Sequence, residues 1–112
     1  MEVKSVAKNT GVSPHKMRRL VDMVRGKPVD EALTLLKFVP SPNARIVAKV
    51  VKSAVADAGT VYQIPSSALR IVGIFADDAV TLKRYRAGAR RRAKPILKRS
   101  SHITVIVGEQ ED

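Results

Sequence analysis

The 112 residues contain no cysteine, no tryptophan and only four aromatic residues, and acids are scarce: 10 Asp and Glu stand against 21 Lys and Arg. Each shortage removes a class of protein. Without Cys there is no disulfide framework, no thiolate zinc site and no Cys nucleophile. No window approaches the ~18 consecutive apolar residues of a membrane span. The start, Met1-Glu2-Val3-Lys4, lacks the basic and then apolar pattern of a secretory signal. The expected compartment is the cytosol, with an organelle interior as the alternative. The chain is nevertheless 45% hydrophobic, which is ordinary for a globular protein and too much for a disordered basic tail. Its length suits one domain spanning residues 1–112.

The net charge of +11 is concentrated. Residues 83–99, KRYRAGARRRAKPILKR, hold nine Lys and Arg and no acid, so the remainder of the chain stands at only +2. A weaker concentration occupies residues 1–27, where Lys4, Lys8, Lys16, Arg18, Arg19, Arg25 and Lys27 face only Glu2 and Asp22. A basic run is often a solvated tail, but this one is internal and flanked by strand-like segments.

Hydrophobic periodicity predicts three helices. Ser13-Pro14 is a helix start, with Ser as N-cap and Pro where its missing N–H costs nothing. Met17, Leu20, Val21 and Val24 then form an apolar stripe with His15, Arg18, Arg19 and Arg25 opposite, and Gly26 is the stop. A second helix runs from Val29 to about Phe38, burying Val29, Ala32, Leu33 and Leu36, with Asp30 and Glu31 in its first turn. A third spans 42–58 and closes at Gly59. Val47, Val50, Val51, Ala54, Val55 and Ala58 face inward, while Arg45, Lys49 and Lys52 line one outer stripe.

Beyond Ile64-Pro65 the period changes to that of strands, at 69–76 and 102–107, with Val3 and Val6 marking a possible edge strand near the start. The fold class is therefore α+β: three helices packed on a small three-stranded antiparallel sheet. Residues 77–101 join the two strands, far longer than the 2–5 residues usual in hairpins. They are best read as one long protruding β-hairpin that turns near Gly88. Arms of about 10 residues at ~3.3 Å each would reach roughly 30 Å from the core. Such a ribbon is marginal in water without a sheet or helix behind it, and its like charges ask for a polyanion.

Lys and Arg neutralise phosphates and release counterions, with strong salt dependence. Arg84, Arg86, Arg90, Arg91, Arg92 and Arg99 could also bind phosphate bidentately or stack on bases. Tyr85 is the only aromatic in the run, and ribbon packing is its simpler role. Zinc-finger, phosphate-loop and RNP-type patterns are absent. The second helix is too acidic for a helix-turn-helix reader, and Gly88, Pro95 and the clustered Arg do not suit a membrane-surface helix. His15 and His102 have no neighbouring acid to orient them, so surface or phosphate-contacting roles outweigh catalysis. Asp77-Asp78 has no third ligand nearby; no metal or cofactor is expected.

Three stretches, SPHKMRRLVDMVRGKPVDEALTLLKF, KSAVADA at 52–58 and LKRSSHITVIV at 97–107, resemble the bacterial large-subunit ribosomal protein L-twenty-two family, in its order and spacing from about Lys4 to Val107. The resemblance implies a non-enzymatic structural protein that binds 23S rRNA early in assembly and lies among neighbouring large-subunit proteins. Its hairpin tip, here Gly88, Ala89, Arg90 and Arg91, would line the nascent-peptide tunnel. No membrane association and no homo-oligomer are expected. The tip departs from the family's Pro-Arg-Ala-x-Gly-Arg-Ala pattern: Gly88 stands where Arg is usual and Arg91 where Gly is usual. Asp57 also stands where Asn is common.

Charge pattern and resemblance together nominate Lys4, Lys8, His15, Lys16, Arg18, Arg19, Arg25, Lys27, Arg45, Lys49, Lys52, Lys83, Arg84, Arg86, Arg90, Arg91, Arg92, Lys94, Lys98, Arg99, Ser101 and His102 as rRNA-contacting residues. The competing readings are a free nucleic-acid chaperone or architectural DNA binder and, more distantly, an enzyme, which lacks any nucleophile–base constellation.

Overall fold

A computed structural model of the chain describes residues 2–87 and 93–110, and for 82–87 and 93–96 the backbone alone. Its first strand, β1, is Glu2–Ala7. Helix α1, Pro14–Val24, begins where Ser13-Pro14 says it should and buries Pro14, Met17, Leu20, Val21 and Val24. It ends because Gly26 takes φ 78°, a left-handed conformation that a side chain would strain. Helix α2 covers Val29–Phe38 and α3 covers Pro42–Tyr62. The Ser41 hydroxyl caps α3 by accepting the Asn43 N–H at 3.2 Å.

One boundary and the burial of two residues differ from expectation. Helix α3 does not close at Gly59 but continues through Tyr62, where Gln63 supplies the left-handed cap at φ 56°. A single glycine costs a helix interior only about 1 kcal/mol, and here the flanking turns hold it. Leu33 and Val55, expected inside, are half-buried and pack at the margin of the core.

The strands β2 (Leu69–Asp78) and β5 (Ser101–Glu109) are both longer than their apolar runs. Strand β5 lies centrally in an antiparallel sheet of order β1-β5-β2. The registers place Val3, Val107 and Ile71 in one row, Ser5, Val105 and Ile74 in the next, and Ala7, Ile103 and Ala76 in a third. These rows meet the apolar stripes of the helices. Among the described residues the resulting core is wholly aliphatic apart from Met17, and no aromatic residue enters it. The opposite sheet face carries Lys4, Val6, Phe75, His102, Thr104 and Ile106, and no helix covers it. Among the described residues no helix is long and apolar enough to cross a membrane.

The edge of β2 is closed by the segment after α1. Gly26 N–H donates to the Ile71 carbonyl at 3.1 Å, and Ile71 N–H donates to the Lys27 carbonyl at 2.9 Å. Beside this patch the β2–β5 register shifts between Ile71 and Gly73. The Phe75 ring lies against Gly73, so that a Cβ there would stand 3.2 Å from it and push the ring outward by a few tenths of an ångström.

The long connection does form a ribbon, but not an uninterrupted one. Strands β3 (Leu82–Ala87) and β4 (Ala93–Lys98) pair antiparallel as a separate two-stranded sheet. Pairing in the main sheet ends at Asp78–Ser101 and resumes at Leu82–Lys98. Three residues, 79–81, thus face two, 99–100, like a bulge that bends the outgoing strand. One backbone bond crosses the gap, from Ala79 N–H to the Ser100 carbonyl at 3.1 Å. The expected turn near Gly88 lies outside the described residues. The Cα radius of gyration is 17.1 Å, with extents of 65 × 26 × 17 Å. A compact chain of this length would have roughly 13 Å, so the excess measures the protrusion.

Candidate nucleic-acid interface

Cationic side chains emerge from three parts of the body besides the ribbon. On α1, apolar periodicity forces Met17, Leu20, Val21 and Val24 inward, so His15, Lys16, Arg18 and Arg19 are exposed together. Lys8 is exposed just after β1, and Lys4 lies on the uncovered sheet face.

The second group is a groove between α2 and α3, with a volume near 1010 Å³. Arg45, Lys49 and Lys52, set at helical spacing, line it from α3, and Lys37 joins them from α2. Leu33, Leu36, Ala44 and Ala48 provide its apolar floor, and no acid lines it. Lys37 was missed from the sequence. The signal was available: positions 37 and 45 lie equally far from Ser41, so folding the two helices back on each other brings them to the same end.

The third group surrounds the ribbon root. Lys98 and Arg99 are exposed there, and the residues that follow are locked into the body. Asn9 N–H donates to His102 Nδ1 at 3.0 Å, Thr10 N–H to the Ser101 carbonyl at 3.0 Å, and Gly11 N–H to Ser100 Oγ at 3.0 Å. Ser101 is fully buried, and its hydroxyl lies 2.8 Å from that of Thr10. It has no surface to offer a ligand, so the sequence-based nomination of Ser101 as an rRNA contact is replaced by a structural role in the loop it holds. His102 is half-buried, with one ring nitrogen occupied by Asn9.

Two body cations are tied down. Arg25 lies 2.7 Å from Asp22, donates to the Ile74 carbonyl at 2.8 Å and sits over the Phe75 ring, 6.0 Å from its centre. Lys27 pairs with Glu31 at 3.7 Å. Among the described residues these are the only ion pairs, so the other cations keep their field for an external anion.

On the ribbon, Lys83, Arg84 and Arg86 fall in β3 and Lys94 in β4, where only the backbone is described. Arg90, Arg91, Arg92 and the tip residues Gly88 and Ala89 lie outside the described residues. Three described aromatics, Phe38 at 77%, Tyr62 at 50% and Phe75 at 46%, are exposed. The sequence did not single them out, because an aromatic in an apolar run reads as core.

This basic body with its basic ribbon was compared with known proteins. A model of the family described as ribosomal protein L22p/L17e matches residues 5–108. The chain belongs to this family. Its members are structural proteins of the ribosome, which sets aside the enzyme reading. Among family relatives named large ribosomal subunit protein uL22, that of Dehalococcoides mccartyi is 55% identical over 97% of this chain and 100% of its own length. The Desulfatibacillum aliphaticivorans protein is 49% identical over 96% of the chain and 98% of its own. The Syntrophobacter fumaroxidans protein is 47% identical over 98% and 100%. The family match runs through the ribbon and both of its roots, so it rests on the arm as well as the helical body.

Proposed function

We propose that the chain is a structural constituent of the large subunit of a cytoplasmic bacterial ribosome, where it binds 23S rRNA and aids its assembly. It works as one domain, residues 1–112, with 77–101 as a basic β-hairpin whose tip at Gly88, Ala89, Arg90 and Arg91 lines the nascent-peptide exit tunnel. Its partners are 23S rRNA, neighbouring large-subunit proteins and the peptide passing the tip.

The observation that carries this reading is the placement of charge: nine cations and no acid within residues 83–99, a stretch that contributes a two-stranded sheet of its own. An arm of that kind lacks a core to hold it, and rRNA phosphates supply both neutralisation and a surface to lie on. The exposed rows on α1 and in the α2–α3 groove extend the positive surface over the body. Such contacts position a protein on RNA without reading its sequence, which suits a scaffold.

The test is quantitative cross-linking in ribosomes assembled with the tagged chain, after sucrose-gradient separation. Expected is one copy per large subunit, with cross-links from residues 83–94 to 23S rRNA. A distribution confined to free or DNA-bound fractions would reject the proposal in favour of a free chaperone.

A further inference from the structure

The ribbon is joined to the body at a bulged junction, and a cleft bridges that junction. It has a volume near 310 Å³ and is lined by Gly11, Ser13 and Lys16 from the body, Asn43 from the start of α3, and Leu97 and Arg99 from the ribbon root. Residues 16, 43 and 99 are remote in sequence and meet only here. No acid lines the cleft, and neither Lys16 nor Arg99 makes an ion pair among the described residues. The Ser13 hydroxyl caps no backbone N–H of α1. The residues lining this one small space thus carry ammonium, guanidinium, hydroxyl and amide groups, an assortment rich in donors and suited to phosphate oxygens.

The two walls belong to parts with different anchorage. On the body side, residues 9–11 are pinned to 100–102 by the hydrogen bonds of Asn9, Thr10 and Gly11. On the ribbon side, the single Ala79–Ser100 backbone bond crosses the unpaired junction. Lys16 and Arg99 repel one another across the cleft when it holds no anion. An anion between them reverses the sign of that interaction and draws the ribbon root toward α1.

We propose that this cleft is a seat for a single phosphodiester group, held by Lys16 and Arg99 with Ser13 and Asn43, and that filling it sets the direction of the ribbon relative to the body. The inference rests on the RNA-binding reading and adds to it a specific phosphate position and a mechanical consequence. Cations elsewhere on the body hold RNA against one rigid surface; this pair spans two.

The experiment uses the full chain, whose lack of Cys permits clean labelling. Spin labels placed by Asp57→Cys on α3 and Lys94→Cys on β4 report the body-to-ribbon distance, and amide NMR reports the cleft. Titration with inorganic phosphate, then with a short rRNA hairpin, is compared with sodium chloride at equal ionic strength. Expected are saturable shifts at Gly11, Lys16 and Arg99 and a narrowed distance distribution, both lost in Arg99→Ala and in Lys16→Ala. Arg99→Lys should retain the shifts in part. Shifts matched by chloride, or retained in both alanine variants, would overturn the seat. Shifts without any change in the distance distribution would overturn its control of the ribbon. The RNA-binding reading is judged separately: salt-sensitive RNA binding that persists without cleft shifts leaves that reading standing and removes only the seat.

Discussion

The body and the ribbon are built on opposite terms. The body stands at +2, buries an aliphatic core beneath three helices, and has no buried side-chain polar atom without a partner among the described residues. Residues 83–99 carry nine cations, five of them on two strands that pair as their own sheet. On the proposed reading, stability and the larger part of RNA binding fall to different stretches of chain, and each can be perturbed while the other is watched. Electrostatics makes the largest difference. If the ribbon engages about 6–10 phosphates, RNA affinity should fall by about 10³–10⁵ between 50 and 200 mM salt. Filter binding measures this, and thermal unfolding over the same range should move little. Deleting residues 86–94 removes five of the nine cations and should flatten the salt slope by about 3.5–4.5 units while leaving cooperative unfolding intact. A flat salt response in the full chain would break the comparison at its root.

The reverse perturbation strikes the body. Ile71 is fully inaccessible, sits beside Val107 and contributes its backbone to the bond with Lys27. Ile71→Ala should destabilise folding by about 2–5 kcal/mol through lost burial and a residual cavity. Urea denaturation reads the loss, and the RNA affinity of the molecules that remain folded should be unchanged. A large affinity loss in the folded fraction would mean that the ribbon depends on core packing.

These two parts were not equally legible in the sequence. The helices of the body were, because Met17, Leu20, Val21 and Val24 repeat with one period and Ser13-Pro14 marks their start. The end of α3 was not: Gly59 has the composition of a stop, but Gln63 makes the left-handed turn, and which residue does so depends on packing against Ile64 and the sheet. The excess charge and its residence on a hairpin could be read directly, since both follow from composition along the chain. The interruption at 79–81 could not, because it arises from a register mismatch between strands roughly twenty residues apart. Lys37 in the groove, Asn43 beside Arg99, and the burial of Ser101 are likewise products of tertiary proximity.

Ser101 sharpens the boundary between the two parts. Its hydroxyl meets Thr10 at 2.8 Å inside the loop that fastens β5 to the body. Ser101→Ala removes that partner from the Thr10 hydroxyl, which keeps its contacts with Val12, and should cost about 0.5–1.5 kcal/mol. Calorimetry gives the loss, with amide exchange expected to rise at Thr10 and Gly11. An effect on RNA binding larger than the effect on stability would place Ser101 with the ribbon rather than with the body.

The smallest effects distinguish individual cations. Arg25 and Lys98 carry the same charge, but Arg25 is held by Asp22, the Ile74 carbonyl and the Phe75 ring, whereas Lys98 is exposed at the ribbon root. Removing Lys98 should reduce the salt slope of RNA binding by about 0.7–0.9, the amount for one phosphate contact, and leave stability within about 0.5 kcal/mol. Removing Arg25 should do the opposite. Most of its interaction is with the body, and losing a charge-assisted bond to a carbonyl is expected to weaken folding by about 1.5–3 kcal/mol while the salt slope hardly moves. The Asp22 contact contributes little of that, because both partners are largely exposed and such pairs are worth about 0–1 kcal/mol. Asp22→Asn should therefore reproduce only a small part of the Arg25→Ala loss. If Arg25→Ala and Lys98→Ala shift both readouts equally, charge on this protein is interchangeable between its two parts, and the division between a body that folds and an arm that binds fails.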